Sequence, residues 1–226
     1  NDWLWGIDIT ADNTGGLCTF WGMMDLYTYS YTAAGDFKVI NSDLFNQIPE
    51  SDARRDWFTT SPYYAAWQGS PLALLPTGKF HSDRSSEIMG DRSWESDIHF
   101  MRIEECYLIA AEAEAREGHT ASAATYLKAI LDNRDETTAA SLASMTNDQL
   151  LNEIFFNWRV EMWGEGKSLQ TFKRFKKNMT CPANDPKYGI GADGSARVIN
   201  YDSKEVVFAI PNQELQYNSN MKDADQ

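Results

Sequence analysis

From Met101 to Arg134 the chain reads MRIEECYLIAAEAEAREGHTASAATYLKAILDNR, and this stretch decides the fold class. Phe100, Ile103, Tyr107 and Ala110 recur at helical spacing, while Met101, Leu108, Ala111 and Ala115 add a second apolar face. That pattern predicts a helix buried on more than one side. Gly118 can take the left-handed backbone that ends it, and Thr120 stands where an N-cap would open the next helix. Ala123, Leu127, Ile130 and Leu131 then form a stripe to lay back on the first helix, giving an antiparallel, tetratricopeptide-like hairpin. A single hairpin does not make a repeat array, which needs at least about three units.

Downstream, Thr146-Asn147-Asp148-Gln149 reads as a capping box, in which the Thr hydroxyl and the Gln side chain each satisfy an orphaned backbone group. Leu151, Phe155, Trp158 and Met162 continue it as a helix, Gly164 and Gly166 interrupt it, and Leu169, Phe172 and Phe175 restart a shorter one. Asn178 to Asp202 is rich in Asn, Asp, Gly and Pro and reads as a long loop. Val206 to Ile210 reads as a short extended segment, stopped by Pro211 and followed by a turn of helix.

Upstream the texture changes. Residues 1–94 are rich in Gly, Ser, Thr, Asp and aromatic rings, with prolines at Pro49, Pro62, Pro71 and Pro76, and read as loops with a few short elements. One of these is a strand at Trp3 to Ile9, with Trp3, Trp5, Ile7 and Ile9 on one face. The expected fold class is therefore mainly α with long loops and a few short strands. Residues 1–94 form a loop-rich, aromatic-rich segment and residues 95–226 a helical one, within one structural domain.

Composition excludes several classes. A net charge of -13 over 226 residues argues against nucleic acid and anionic membrane surfaces, both of which need clustered cations. The one basic run, Lys173 to Lys177, falls where cations complement a helix C-terminus. No stretch approaches the roughly 20 apolar residues of a membrane-spanning helix. The start at Asn1 without an initiating Met suggests a fragment or a processed chain. Cys18, Cys106 and Cys181 form neither a disulfide framework nor a zinc motif; Cys106 reads as a packed thiol, and a Cys18 to Cys181 bridge stays open.

Several separated segments resemble the SusD/RagB family. MRIEECYLIAAEAEAREG (101–118) is similar to its helix in which an Arg precedes YLI and AEA, and RVEMWGEGKSLQTFKR (159–174) to its Arg-x-Glu, Glu-Gly and aromatic-rich helix. FAIPNQELQYNSNM (208–221) resembles its closing Ile-Pro, Glu-Leu and Asn pattern, and LFNQIPESDARRDWF (44–58) a segment with Asp-x-Arg before an aromatic. Where the family often has Asp, this chain has Thr171, which removes one expected ion pair to Arg159 or Arg174. The resemblance implies an outer-membrane, cell-surface lipoprotein that sits on a SusC-like TonB-dependent transporter. It implies binding of oligosaccharides, or of peptides in some members, without enzyme activity. It also implies that the N-terminal half of the family fold, with its lipid anchor and most of its tetratricopeptide-like helices, is missing here.

Sugars are held by laying their apolar faces on aromatic rings while amides, carboxylates and guanidinium groups bond to the hydroxyls. The expected ligand-binding residues are therefore loop aromatics and a nearby cation: Trp21, Tyr27, Tyr29, Trp57, Trp67 and Arg55, with Tyr31, Tyr63 and Tyr64 in the same segment. Trp21 and Tyr27 lead because they flank a turn-rich loop. The eight Trp residues cannot all be ligands; Trp158 and Trp163 lie on a periodic helix and read as core. Arg159, Glu161 and Glu165 read as buried ion pairs rather than a catalytic group. No catalytic residues, cofactor or metal ligands are expected: Glu104 and Glu105 diverge on a helix, and His81, His99 and His119 are mutually isolated. Two other classes remain as alternatives, a peptide-binding member of the same family and an all-helical glycoside hydrolase with convergent carboxylates.

Overall fold

A computed structural model describes residues 3–30, 38–60, 74–82, 84, 86–88, 90–183, 195–218 and 220. Along them run β1 (Trp3–Ile7), α1 (Phe20–Met24), α2 (Ser42–Gln47), β2 (Thr59–Thr60), β3 (Leu74–Leu75) and β4 (Ile98–Arg102). The helical part follows as α3 (Ile103–Arg116), α4 (Thr120–Leu131), α5 (Glu136–Ser141), α6 (Asn147–Glu161) and α7 (Ser168–Phe175). Then come β5 (Met179–Cys181), β6 (Arg197–Ile199) and α8 (Asn212–Tyr217). The mainly helical class is as expected.

The hairpin forms where its two stripes meet. Leu108, Ala111 and Ala115 of α3 and Ala123, Leu127 and Ile130 of α4 are buried in one cluster, and the small Ala side chains let the two helices approach closely. Gly118 turns the chain at φ +83°, as anticipated. The cap differs by one residue. His119 is the N-cap, and Thr120, already helical, donates its hydroxyl to Asn147 Oδ1 at 3.0 Å, fastening the hairpin to the start of α6. The Thr146 and Gln149 capping box is present in full.

Tertiary pairing overrides the helical period at the start of this region. Phe100 and Met101 are strand residues, because β4 pairs antiparallel with β1, placing Trp5 opposite Met101 and Gly6 opposite His99. The register shifts between Trp3 and Trp5 and between Trp5 and Gly6, so the expected single face of Trp3, Trp5, Ile7 and Ile9 does not form. The stretch Asn178 to Asp202, expected as loop, contains the antiparallel β5–β6 pair with Met179 opposite Ile199. Val206 closes a 3-10 turn instead of opening an extended strand, and α8 follows Pro211 as expected. Cys18, Cys106 and Cys181 form no disulfide, so the Cys18 to Cys181 bridge is not made.

α6 is a wall between two cores. Leu150, Ile154, Trp158 and Met162 pack on the hairpin, while Val160 faces Ile40, Leu44, Ile48 and Phe58 from the upstream segment. Beyond it Gly164, at φ +78°, turns the chain so that Trp163 packs on Phe58 and Phe80. A Cβ there would lie 2.5 Å from Phe80 Cε2 and 2.6 Å from Met24 Cε. Gly164→Ala therefore strains the backbone and overpacks the core, and should cost about 1–3 kcal/mol in urea unfolding.

A buried ion network ties the two halves together. Glu161, fully buried, receives Arg54 Nη1 at 3.3 Å, Arg102 Nη1 at 3.0 Å and Arg134 Nε at 3.3 Å. Arg54 also pairs with Asp52 at 2.6 Å, Arg102 with Glu165 at 2.9 Å, and Lys79 with Glu165 at 2.8 Å. Burial alone would raise the Glu161 pKa, but the guanidinium groups of Arg54, Arg134 and Arg102 outweigh it and hold the carboxyl at about 2. Burial likewise opposes ionisation of Glu165, yet His99, Lys79 and Arg102 hold it well below the usual carboxylate range. Burial brings Lys79 down to about 8 against the pull of Glu165.

The sign of the acid response follows. A carboxyl depressed in the fold stabilises above its unfolded pKa, near the ordinary 4.5, and loses that contribution as pH falls toward about 2. The urea midpoint should fall steeply across that window. Glu161→Gln, which leaves three guanidinium groups short of a charge, should cost about 3–5 kcal/mol at neutral pH.

Candidate functional site

The aromatic residues of the upstream segment divide into two populations. Trp21, expected on an exposed loop, lies on α1 at 8% exposure, packed in a cluster with Met24 and Phe80. Its indole N–H donates to Ser96 O at 2.7 Å, so both ring and polar edge are engaged internally. Trp57 is half-buried beneath cations, with Lys79 Nζ at 4.9 Å and Arg134 Cζ at 5.5 Å from its ring. Arg55 donates to Ile48 O at 2.7 Å and Phe45 O at 3.3 Å, pairs with Glu50 at 3.1 Å and lies over the Phe45 ring. It therefore closes the C-terminal carbonyls of α2. Trp67, with Tyr31, Tyr63 and Tyr64, lies outside the described residues.

Tyr27 and Tyr29 are the members of the expected set that come together at the surface. The chain from Tyr27 to Tyr29 pairs with the segment around Asp91: Gly90 N donates to Tyr27 O at 3.0 Å and Tyr29 N to Asp91 O at 2.6 Å. This brings up two residues that the sequence reading passed over, Arg92 and Trp94. The Trp94 indole N–H donates to Tyr29 O at 3.1 Å, and the Arg92 guanidinium carbon lies 5.8 Å from the Tyr29 ring centre and 5.9 Å from that of Trp94. Tyr29 is 51% exposed. Tyr27, half-buried, sits edge-on to His81 at 5.9 Å. The result is a shallow platform of two rings around one guanidinium, with a Tyr–His pair beside it. Trp94 lay in the non-periodic run DRSWESD (91–97), the texture that marked the other loop rings, and that was its one available signal.

A buried polar lattice holds this platform. Asp25, 1% exposed, accepts from Tyr27 N at 2.9 Å, Thr28 Oγ1 at 3.0 Å and Ser82 N at 3.1 Å. Thr28 and Ser93 hydroxyls meet at 2.6 Å, Ser82 and Ser96 hydroxyls at 2.6 Å, and Ser82 donates to Ser93 O at 2.8 Å. These short side chains clamp the 25–28 and 82–96 segments so that Tyr29 and Trp94 emerge side by side. Trp21, bonded to Ser96, props the lattice from below.

The carboxylates are arranged for structure. A cleft of about 720 Å³ is lined by Glu105, Ile109, Glu112, Trp158 and Gln170, and its Glu105 pairs with Lys167 at 2.8 Å while Glu112 pairs with Arg116 at 2.9 Å and Arg174 at 3.0 Å. Glu104 instead turns to Arg102 and Arg134. Glu161 and Glu165 form the expected ion pairs; Arg159 forms none among the described residues and lies over the Phe155 and Phe172 rings. Thr171 is buried and donates to Lys167 O at 2.9 Å, while Arg174 finds Glu112 in place of the expected Asp. Burial raises the pKa of Glu153, whose Oε1 accepts from Asn157 at 2.8 Å, but it lines no described cleft with a facing carboxylate. Among the described residues no group of His, Cys, Asp and Glu could hold a metal ion, and no helix is long and apolar enough to cross a membrane.

Comparison with known proteins settles the family. The SusD family model matches residues 50–225. The chain belongs to the SusD family. Solved structures similar to it include a SusD-like carbohydrate-binding protein from Bacteroides vulgatus (TM-score 0.65, 21% identity, 97% of this chain and 48% of that one). A SusD superfamily protein from the same organism matches with TM-score 0.72 and 21% identity, over 98% of this chain and 45% of its own. A sugar-binding protein, again from B. vulgatus, matches with TM-score 0.68 and 19% identity, over 98% and 45%. The SusD chain thus spans about half the length of these structures, consistent with a partial SusD fold. No curated protein matches the sequence.

Since Trp21 is a core residue of this SusD fold, Trp21→Ala should lower stability by about 3–5 kcal/mol in urea unfolding, instead of leaving the fold untouched.

Proposed function

We propose that this SusD-family chain binds a glycan at the cell surface, on the platform of Tyr29, Arg92 and Trp94, and breaks no bond in it. The observation that carries this reading is the exposed Tyr29 ring beside Trp94, with Arg92 close to both rings. Two rings offer apolar faces to successive sugar residues, and the guanidinium donates to their hydroxyls. Such a surface buries little area, so affinity for a single chain is modest and gains from repeated contact along a polymer.

Binding without cleavage is supported by the state of the carboxylates. In the cleft lined by Glu105, Glu112 and Glu165 each carboxylate is paired with a cation, whereas glycoside cleavage needs an acid and a base facing each other about 5 to 9.5 Å apart across the sugar. The family resemblance supports the remainder of the proposal: a lipid-anchored position on the outer membrane, and hand-over of the glycan to a SusC-like TonB-dependent transporter.

The test is calorimetry of the chain against a panel of polysaccharides, with chromatography for products. Tyr29→Ala and Trp94→Ala should each weaken binding by about tenfold, the effect of losing one stacking contact of roughly 1.4 kcal/mol. Tyr29→Ala should leave the thermal midpoint unchanged, because its ring is half in solvent. Release of shorter oligosaccharides, or binding of peptides in preference to every glycan, would overturn the reading.

A further inference from the structure

The buried cations of the ion network each hold a carboxylate: Arg54 at 2.6 Å, Lys79 at 2.8 Å and Arg102 at 2.9 Å. Arg159 on α6 is half-buried and holds none among the described residues. Its guanidinium carbon lies 5.6 Å from the Phe155 ring centre and 5.2 Å from that of Phe172, so the group is seated on two rings. Burial pushes its pKa down, and Asp43, acting from beyond contact, is the opposing charge. A half-buried cation whose opposing charge lies beyond salt-bridge distance is only partly compensated, and an anion placed on it would relieve the remaining penalty.

The surroundings carry the same sign. Phe155 packs edge-on to Phe172 at 5.4 Å and tilted on Phe175 at 5.1 Å, and the basic run Lys173 to Lys177 borders these rings. Arg174 of that run is neutralised by Glu112. Its neighbours are not: Lys173 donates to Val206 O at 3.2 Å, Lys177 to Asn152 Oδ1 at 3.4 Å, and Lys176 is exposed in a left-handed conformation at the end of α7. None of these three has a carboxylate within salt-bridge distance among the described residues. Asn152 and Arg159 lie on either side of Phe155 along α6, so Lys177 and Arg159 flank the ring cluster from opposite ends. On a chain of net charge -13, a local group of cations without a carboxylate in salt-bridge distance, set around half-buried rings, calls for more than dipole compensation.

We propose that this α6–α7 face binds an anionic glycan, with a sugar carboxylate on Arg159 and the glycan running on toward Lys176 and Lys177 at the far end of the ring cluster. The nature of the ligand rests on the glycan-binding reading above; the site rests on its own residues. A planar guanidinium held against two rings presents its remaining donors as a fixed fork, the geometry that suits a carboxylate. The acidity of the whole chain is screened beyond about 8–10 Å in physiological salt, so the charges at contact decide affinity.

The test compares oligogalacturonate with its neutral methyl ester, by calorimetry on the whole chain at low and high salt. The acid should bind about tenfold tighter than the ester, as one charge-assisted contact implies, and high salt should remove the difference. Arg159→Gln should abolish the preference. The double variant Lys176→Gln, Lys177→Gln should reduce it with no change in melting, which keeps the test decisive if Arg159→Gln folds poorly. Tyr29→Ala should weaken acid and ester alike. Equal binding of acid and ester by the unaltered chain would overturn this inference and leave the glycan reading standing; binding of no glycan at all would overturn both. Capture on phosphatidylglycerol vesicles through Arg159, without oligogalacturonate binding, would reassign the face to a lipid surface.

Discussion

Glu161 is the residue on which the architecture depends. It is the last residue of α6, where the partial negative charge of a helix C-terminus disfavours a carboxylate, and it is fully buried, which disfavours it again. It stays ionised because guanidinium groups arrive from three different parts of the chain: Arg54 from the upstream 3-10 turn, Arg102 from the junction of β4 and α3, and Arg134 from beyond α4. A hydrophobic core tolerates sliding; three charge-bearing forks on one carboxylate fix the relative position of the loops and the helical body.

A second kind of polar interior governs the surface. Under the Tyr29 and Trp94 platform the bonding groups are hydroxyls and the Asp25 carboxylate, with backbone donors. Short side chains leave little rotamer freedom, so the lattice orders two loop segments without a regular sheet beneath them. The rings it displays are therefore held in place before any ligand arrives, which is what a shallow site requires to bind at all. The α6–α7 face differs in principle: its rings belong to a helix pair, and Arg159, Lys173, Lys176 and Lys177 have no carboxylate within salt-bridge distance among the described residues.

The helical half was legible because its signals are local. Stripe periodicity, the Thr146 capping box, the Gly118 turn and the glycine interruption after α6 each depend on neighbours within a few residues, and each is found. The misplaced boundaries are those where distant backbone intervened: Phe100 and Met101 follow a helical period, yet lie in β4, which pairs with β1 some ninety-odd residues earlier. Likewise β5 and β6 lie in a stretch whose composition speaks only of loop. Of the expected binding residues, Tyr27 and Tyr29 share one surface region. Trp21, Trp57 and Arg55 proved to be engaged inside the fold, because aromatic and guanidinium groups serve a core as readily as a ligand.

The amino-acid sequence alone determined that the chain is mainly helical, which segments form the hairpin and the capped third helix, and the motifs that mark the SusD family, since all of these reside in short-range patterns. Tertiary structure alone decided which rings face solvent, that Arg92 and Trp94 join Tyr29, and that Arg159 rests on two rings while Glu161 holds three guanidinium groups. The physical reason is that exposure and charge pairing are properties of contacts between segments far apart in the chain, and residue type constrains them only weakly.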